Sequence, residues 1–176
     1  MFMLTAEQVK VLIRDVPDFP KPGILFKDIT PVLKSPAAMH AVIEFMAERA
    51  RGLGVNLVAG PEARGFLFGM PLALRLGVGF APIRKPGKLP WKTRAVSYDL
   101  EYGKDTVQAH EDAAGRGDRV LLVDDLLATG GTMAACATLM ESLGAEVVGC
   151  QFMVELSFLE GRRKLAGRSI QSMFCY

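Results

Sequence analysis

With 176 residues the chain is long enough for one domain with a substantial core and too short for two ordinary domains. Lys and Arg number 21 against 19 Asp and Glu, and the formal charge of +2 excludes a broad electrostatic footprint for nucleic acid or an anionic membrane, so any anion site must be local. Cys136, Cys150 and Cys175 lack the CxxC spacing of zinc or redox sites and read as core thiols of a reducing cytoplasm, and neither His40 nor His110 has metal-ligand spacing.

The opening MFMLTAEQVKVL has no basic stretch leading into a long apolar core, and no apolar run is long enough to span a bilayer. A cytoplasmic domain without nucleic-acid or membrane partners is the expectation. Thr5 followed by Gln8 resembles a capping box that opens a short helix through about Ile13. Pro17, Pro20 and Pro22 then forbid helix and force an extended loop. From Pro36 to about Arg51, Met39, Val42, Ile43, Met46 and Ala50 recur at helical spacing. A buried strand follows over Asn56 to Ala59, then a loop over Gly60 to Gly65, then a helix from Phe66 to Leu76 in which Pro71 predicts a kink or a shifted boundary. Val78 to Ile83 reads as a strand, and PIRKPGKLP as irregular chain. Thr93 to Tyr98 pairs with Thr106 to His110 as a hairpin. Arg119 to Val123, a helix from Thr132 to Leu143, and strands over Glu146 to Val154 and Ser169 to Phe174 complete the order. Strands alternating with helices predict an α/β fold, a mostly parallel sheet flanked by helices, interrupted by the hairpin.

The densest chemistry lies in VLLVDDLLATGGTM, Val120 to Met133. An aliphatic strand ends in two carboxylates, and small residues follow at a helix start, where backbone N–H groups and the helix dipole favour an anion. The lysine that a GxxxxGK[ST] loop carries is replaced here by Gly131, so the site suits one phosphate plus neighbouring sugar hydroxyls. Asp124 and Asp125 can accept hydroxyl hydrogen bonds or anchor a hydrated Mg²⁺. The competing reading is a strand ending in a solvated acidic turn.

This run resembles the phosphoribosyl pyrophosphate (PRPP) motif of the type I phosphoribosyltransferases. The resemblance implies that Asp124 and Asp125 face the ribose hydroxyls and that Ala128, Thr129, Gly130, Gly131 and Thr132 hold the 5-phosphate. Three further stretches carry the resemblance toward the adenine-specific branch across nearly the whole chain. DFPKPGILFKDITPVL, Asp18 to Leu33, is similar to its purine-binding segment. That implies the Leu25 carbonyl and the Lys27 N–H as partners of adenine and Phe26 against its ring; the alternative is that Phe26 is a core anchor for an irregular loop. AGPEARGFLFG, Ala59 to Gly69, resembles the pyrophosphate loop and implies roles for Ala63 and Arg64, whose guanidinium can fork onto diphosphate oxygens. An exposed pair at a helix start is the alternative. SYDLEYGK, Ser97 to Lys104, is similar to a flexible hairpin flap whose glutamate, here Glu101, moves the purine proton.

The resemblance adds Lys85 and Lys88 as diphosphate contacts, where a solvated charge run would be the ordinary explanation. Where the related 6-oxopurine enzymes carry an acid before the TG pair, this chain has Ala128, which favours adenine. The implied molecule is a single domain over 1–176 with a small N-terminal hood, mainly 1–34, and a flap at about 93–112. It would be a homodimeric, Mg²⁺-dependent pentosyltransferase of purine salvage that makes AMP and pyrophosphate from adenine and PRPP, with Mg²⁺ carried on PRPP rather than by protein ligands. The competing class is a regulator of the same fold that senses PRPP or a purine nucleotide without catalysis.

Overall fold

The computed structural model describes residues 4–99 and 103–176. The chain divides into two compact units, Met1–Phe45 and Met46–Tyr176.

In the first unit, helix α1 (Ala6–Val11) opens on the expected box: Thr5 Oγ1 accepts from the Gln8 N–H at 3.3 Å, and the Thr5 N–H donates to Gln8 Oε1 at 2.9 Å. The proline-rich stretch departs from the expected loop. Strands β1 (Arg14–Pro17) and β2 (Leu25–Asp28) pair antiparallel, with Val16 opposite Phe26. Proline is tolerated because Pro17 is the last residue of β1 and Pro20 and Pro22 lie in the connection. Asp18 adopts a left-handed φ of 57°, and its carboxylate accepts from the Gly23 N–H at 2.8 Å. A short helix α2 (Thr30–Lys34), not evident in the sequence, starts beside Asp28, whose carboxylate accepts from both the N–H and the hydroxyl of Thr30 at 2.9 Å. Helix α3 (Pro36–Ala50) follows the predicted periodicity and crosses the division between the units.

In the second unit β3 (Leu57–Pro61), α4 (Arg64–Leu76), β4 (Gly79–Ile83), β7 (Arg119–Leu127), α5 (Gly131–Ser142), β8 (Glu146–Glu155) and β9 (Ser169–Cys175) form a five-stranded sheet with its helices. The spatial order is β4-β3-β7-β8-β9, and every pairing is parallel, as the βα alternation predicts. Between β8 and β9 two 3-10 turns, Ser157–Leu159 and Gly161–Leu165, interrupt the chain. The hairpin is made of β5 (Thr93–Asp99) and β6 (Lys104–His110) and stands as its own two-stranded sheet. Val120, Leu122, Cys150 and Phe152 share one buried cluster with Met133, Cys136, Leu139 and Met140 of α5 and with Val107 and Ala109 of β6. Pro71 lies inside α4, and the helix continues through it. The carbonyl it deprives of a donor is that of Leu67, an exposed residue, where water can replace the lost bond. No helix among the described residues is long and apolar enough to cross a membrane.

The sequence ends the key strand at Val123, ahead of the carboxylates; β7 instead continues to Leu127. The reason is one-sided pairing. Beside β3 the ladder stops at Ala59 opposite Leu122, whereas beside β8 it persists to Leu127 opposite Glu155. Beyond Ala59, β3 stays with β4 up to Pro61 opposite Ile83. Strands β3 and β7 therefore part, and the chain winds from β3 to β4 on one side of that gap and from β7 to β8 on the other, a switch point of the kind at which open α/β sheets bind ligands.

Candidate active site

The gap between β3 and β7 holds the polar side chains. Two adjoining clefts, of about 190 Å³ and about 200 Å³, share Arg64, Asp124, Asp125 and Thr132. The first is completed by Glu62, Ala63, Arg84 and Lys85, and the second by Ala128, Thr129, Gly130 and Gly131. One trough thus joins the proposed diphosphate loop to the proposed phosphate loop across the two carboxylates.

Asp125 is buried, and Arg64 at the start of α4 donates Nε–H to its Oδ2 at 2.5 Å. Asp124 is half-buried, and its Oδ1 accepts the Asp125 N–H at 2.8 Å. Burial and then the neighbouring Asp125 charge raise the Asp124 carboxyl well above the ordinary carboxylate range, against the weaker pull of Arg64. The space beside Asp124 depends on Gly65, because a Cβ there would lie 2.9 Å from Pro61 Cδ and 3.2 Å from Asp124 Oδ1. The Glu62–Ala63 peptide that leads into α4 is cis.

The loop after β4 is tied down by Glu62, whose carboxylate accepts Arg84 Nε–H at 2.5 Å and the Lys85 N–H at 3.0 Å. Burial works to raise the Glu62 carboxyl, but these bonds outweigh it and hold it below its ordinary value. Lys85 pairs through Nζ with Asp105 Oδ2 on β6 and lies 6.0 Å from the Tyr98 ring centroid. Burial would lower its pKa, yet the Asp105 bond prevails and raises it. Tyr98 connects the hairpin to the start of α5: its hydroxyl donates to Asp105 at 3.0 Å and shares a 3.0 Å hydrogen bond with Thr132 Oγ1.

Of the residues singled out by sequence, Ala63, Arg64, Lys85, Asp124, Asp125 and Ala128 to Thr132 line this trough. Lys88 does not: it lines neither cleft, and its carbonyl accepts from Arg84 Nη1 at 3.1 Å. Leu25, Phe26 and Lys27 lie on β2 in the first unit. There Leu25 is exposed, Phe26 meets Phe19 edge to face with centroids 5.1 Å apart, and Lys27 Nζ reaches Asp15 at 2.6 Å. Glu101 falls outside the described residues. Sequence reasoning missed Asp105 and Tyr98 as partners of the trough; the adjoining Ser97 to Lys104 motif was the available signal.

Among the described residues no group of three or more His, Cys, Asp or Glu is gathered as a metal cage. Two adjacent carboxylates, one of them already paired with Arg64, fit a hard cation that draws most of its oxygens from a substrate.

A phosphoribosyl transferase domain model matches residues 28–166. An adenine phosphoribosyltransferase of Symbiobacterium thermophilum is 60% identical over 93% of this chain and 96% of its own. The crystal structure of adenine phosphoribosyltransferase from Thermoanaerobacter pseudethanolicus superposes with a TM-score of 0.95 at 56% identity, covering 98% of this chain and 100% of that one. The Saccharomyces cerevisiae enzyme, solved with adenine and an imino-altritol bisphosphate, gives 0.90 at 38% identity over 96% of this chain and 97% of that one. With family model, near full-length relatives and fold in agreement, the chain belongs to the adenine phosphoribosyltransferases, a group of pentosyltransferases.

Proposed function

We propose that the chain makes AMP and pyrophosphate from adenine and PRPP, a reaction of purine salvage. The observation that carries this reading is the continuous trough in which a 5-phosphate loop, two carboxylates and a cationic loop follow one another in the order of the PRPP molecule. Gly130, Gly131 and Thr132 at the α5 start offer N–H groups and a hydroxyl to the 5-phosphate. Asp124 and Asp125 accept from the ribose hydroxyls. Arg64, the Ala63 backbone and Lys85 take the diphosphate, with Lys88 a more remote contributor.

As the bond from C1′ to pyrophosphate breaks, negative charge gathers on the leaving oxygens, where Arg64 and the loop N–H groups stabilise it. The new C1′–N bond to adenine forms as the base gives up a proton, which Glu101 accepts. Adenine is read by the Leu25 carbonyl, the Lys27 N–H and the face of Phe26; the base bound in the yeast relative supports that choice. Asp124 and Asp125 would be the residues to hold a Mg²⁺ carried on PRPP, which would supply further neutralisation of the leaving group.

A homodimer is supported by Leu67, Met70 and Leu74, which leave 42%, 50% and 74% of their surfaces exposed along one side of α4. A reducing cytoplasm suits the free Cys136, Cys150 and Cys175. The test follows AMP formation from adenine, PRPP and Mg²⁺ with hypoxanthine, guanine, xanthine and orotate as competing bases. AMP from adenine alone supports the reading; PRPP binding without product from any base supports the non-catalytic regulator instead.

A further inference from the structure

The wall behind the phosphate loop comes from a distant part of the chain. Gly130 has a left-handed φ of 77°, and a Cβ there would run into the Gly161 carbonyl oxygen. Conversely, a Cβ on Gly161 would collide with the Ala128 carbonyl oxygen and lie 3.1 Å from the Gly130 nitrogen. The loop and the Gly161–Leu165 turn therefore meet backbone on backbone.

That turn is itself pinned. Glu155, buried at the end of β8, accepts Arg162 Nε–H and Nη2–H at 2.6 Å and 2.7 Å, and Ser172 Oγ–H at 2.6 Å. Leu165 is fully buried in the core beneath it. Arg163 pairs with Glu160 at 2.7 Å. The next residue, Lys164, holds its Nζ 3.8 Å from the point a Gly131 Cβ would occupy, beside the first residue of α5.

We propose that the Gly161–Leu165 turn forms part of the 5-phosphate subsite, with Lys164 supplying an ammonium to the phosphate and Glu155 and Arg162 acting as positioning residues that hold Gly161 behind the loop. The proposal rests on the reading of Ala128 to Thr132 as the phosphate loop. An ammonium beside a helix start adds a charge-assisted donor to the backbone N–H groups. The bidentate Arg162–Glu155 pair fixes the turn before the ligand arrives, so less ordering is needed on binding.

The experiment compares wild type, Lys164→Gln and Arg162→Lys by calorimetric titration with ribose 5-phosphate and by steady-state kinetics. Lys164 is exposed, so its replacement leaves the fold intact. Lys164→Gln is expected to weaken ribose 5-phosphate about fivefold, less than a buried charge-assisted bond because solvent and salt screen the exposed Lys164, and to flatten its salt dependence. Arg162→Lys keeps the charge but loses the fork, and is expected to raise KM for PRPP about threefold with KM for adenine unchanged. A merely structural role for Arg162 would lower Tm and move both KM values alike or neither. If wild type binds ribose 5-phosphate and makes AMP while both variants bind within about twofold of it, the proposal is overturned and the functional reading stands. If wild type neither binds ribose 5-phosphate nor makes AMP, the functional reading fails and takes this proposal with it.

Discussion

Replacing Asp124 by Asn separates what the trough needs for chemistry from what the fold needs for stability. Asn is isosteric, so its Oδ1 can still accept the Asp125 N–H that Asp124 accepts at 2.8 Å. What disappears is a charge that burial and the adjacent Asp125 disfavour more than Arg64 favours it. The sign follows from linkage: because the folded protein raises this carboxyl, the penalty is fully present above the folded pKa and fades as pH falls through it. Asp124→Asn is therefore expected to stabilise the free protein at neutral pH by on the order of 1 kcal/mol, within the range of single stabilising substitutions. For a chain of this size that is about 2–4 °C in Tm. Activity should move the opposite way. A lost charge-assisted bond to a ribose hydroxyl is worth roughly 1.5–3 kcal/mol, or about 10- to 100-fold in kcat/KM for PRPP. Calorimetric melting without substrate or metal at about pH 8 and about pH 5, with kinetics at neutral pH, measures both halves. A variant less stable than wild type at the higher pH, or a Tm difference that does not shrink toward the lower one, refutes the argument.

Glu101→Gln should lower kcat sharply and leave PRPP affinity unchanged; equal turnover in the two proteins would remove Glu101 from proton transfer. Lys85→Gln should raise KM for PRPP well beyond Lys88→Gln, since Lys85 lines the trough and Lys88 does not, and kinetics on the two variants checks the order. Arg162 holds the Glu155 carboxyl below its ordinary range, outweighing burial. The stability from that pair is present above the unfolded carboxylate pKa and is lost as pH falls through the folded one, so Glu155→Gln should flatten the acid limb of a Tm–pH curve.

Much of the architecture was legible because hydrophobic periodicity is local. The aliphatic run of β7 and the helical spacing of α3 needed no tertiary information. The aliphatic run that marks the strand stops at Val123, whereas β8 continues the ladder on one side and carries Asp124 and Asp125 along it. The β1–β2 pair was hidden by prolines that turned out to stand at its margins. Partnerships were the least readable feature: Arg64 meets Asp125 61 residues away, and Lys85 meets Asp105 20 residues away, so nothing in the spacing announces either. The small residues of the loop after β7 stand out in the sequence, but the close backbone contact between Gly130 and Gly161 is encoded by no motif.

The Arg64–Asp125 pair neutralises two charges of the trough against each other, and that sets a rule for ligands. An anion that draws Arg64 away strands a buried carboxylate unless the same molecule also brings hydroxyls to Asp125. Ribose with its diphosphate attached satisfies both partners in one step, whereas a diphosphate mimic lacking vicinal hydroxyls must break the pair and leave half of it unmet. Inhibitors of this trough should therefore be ranked by how they compensate Asp125 as well as by the charge they present to Arg64.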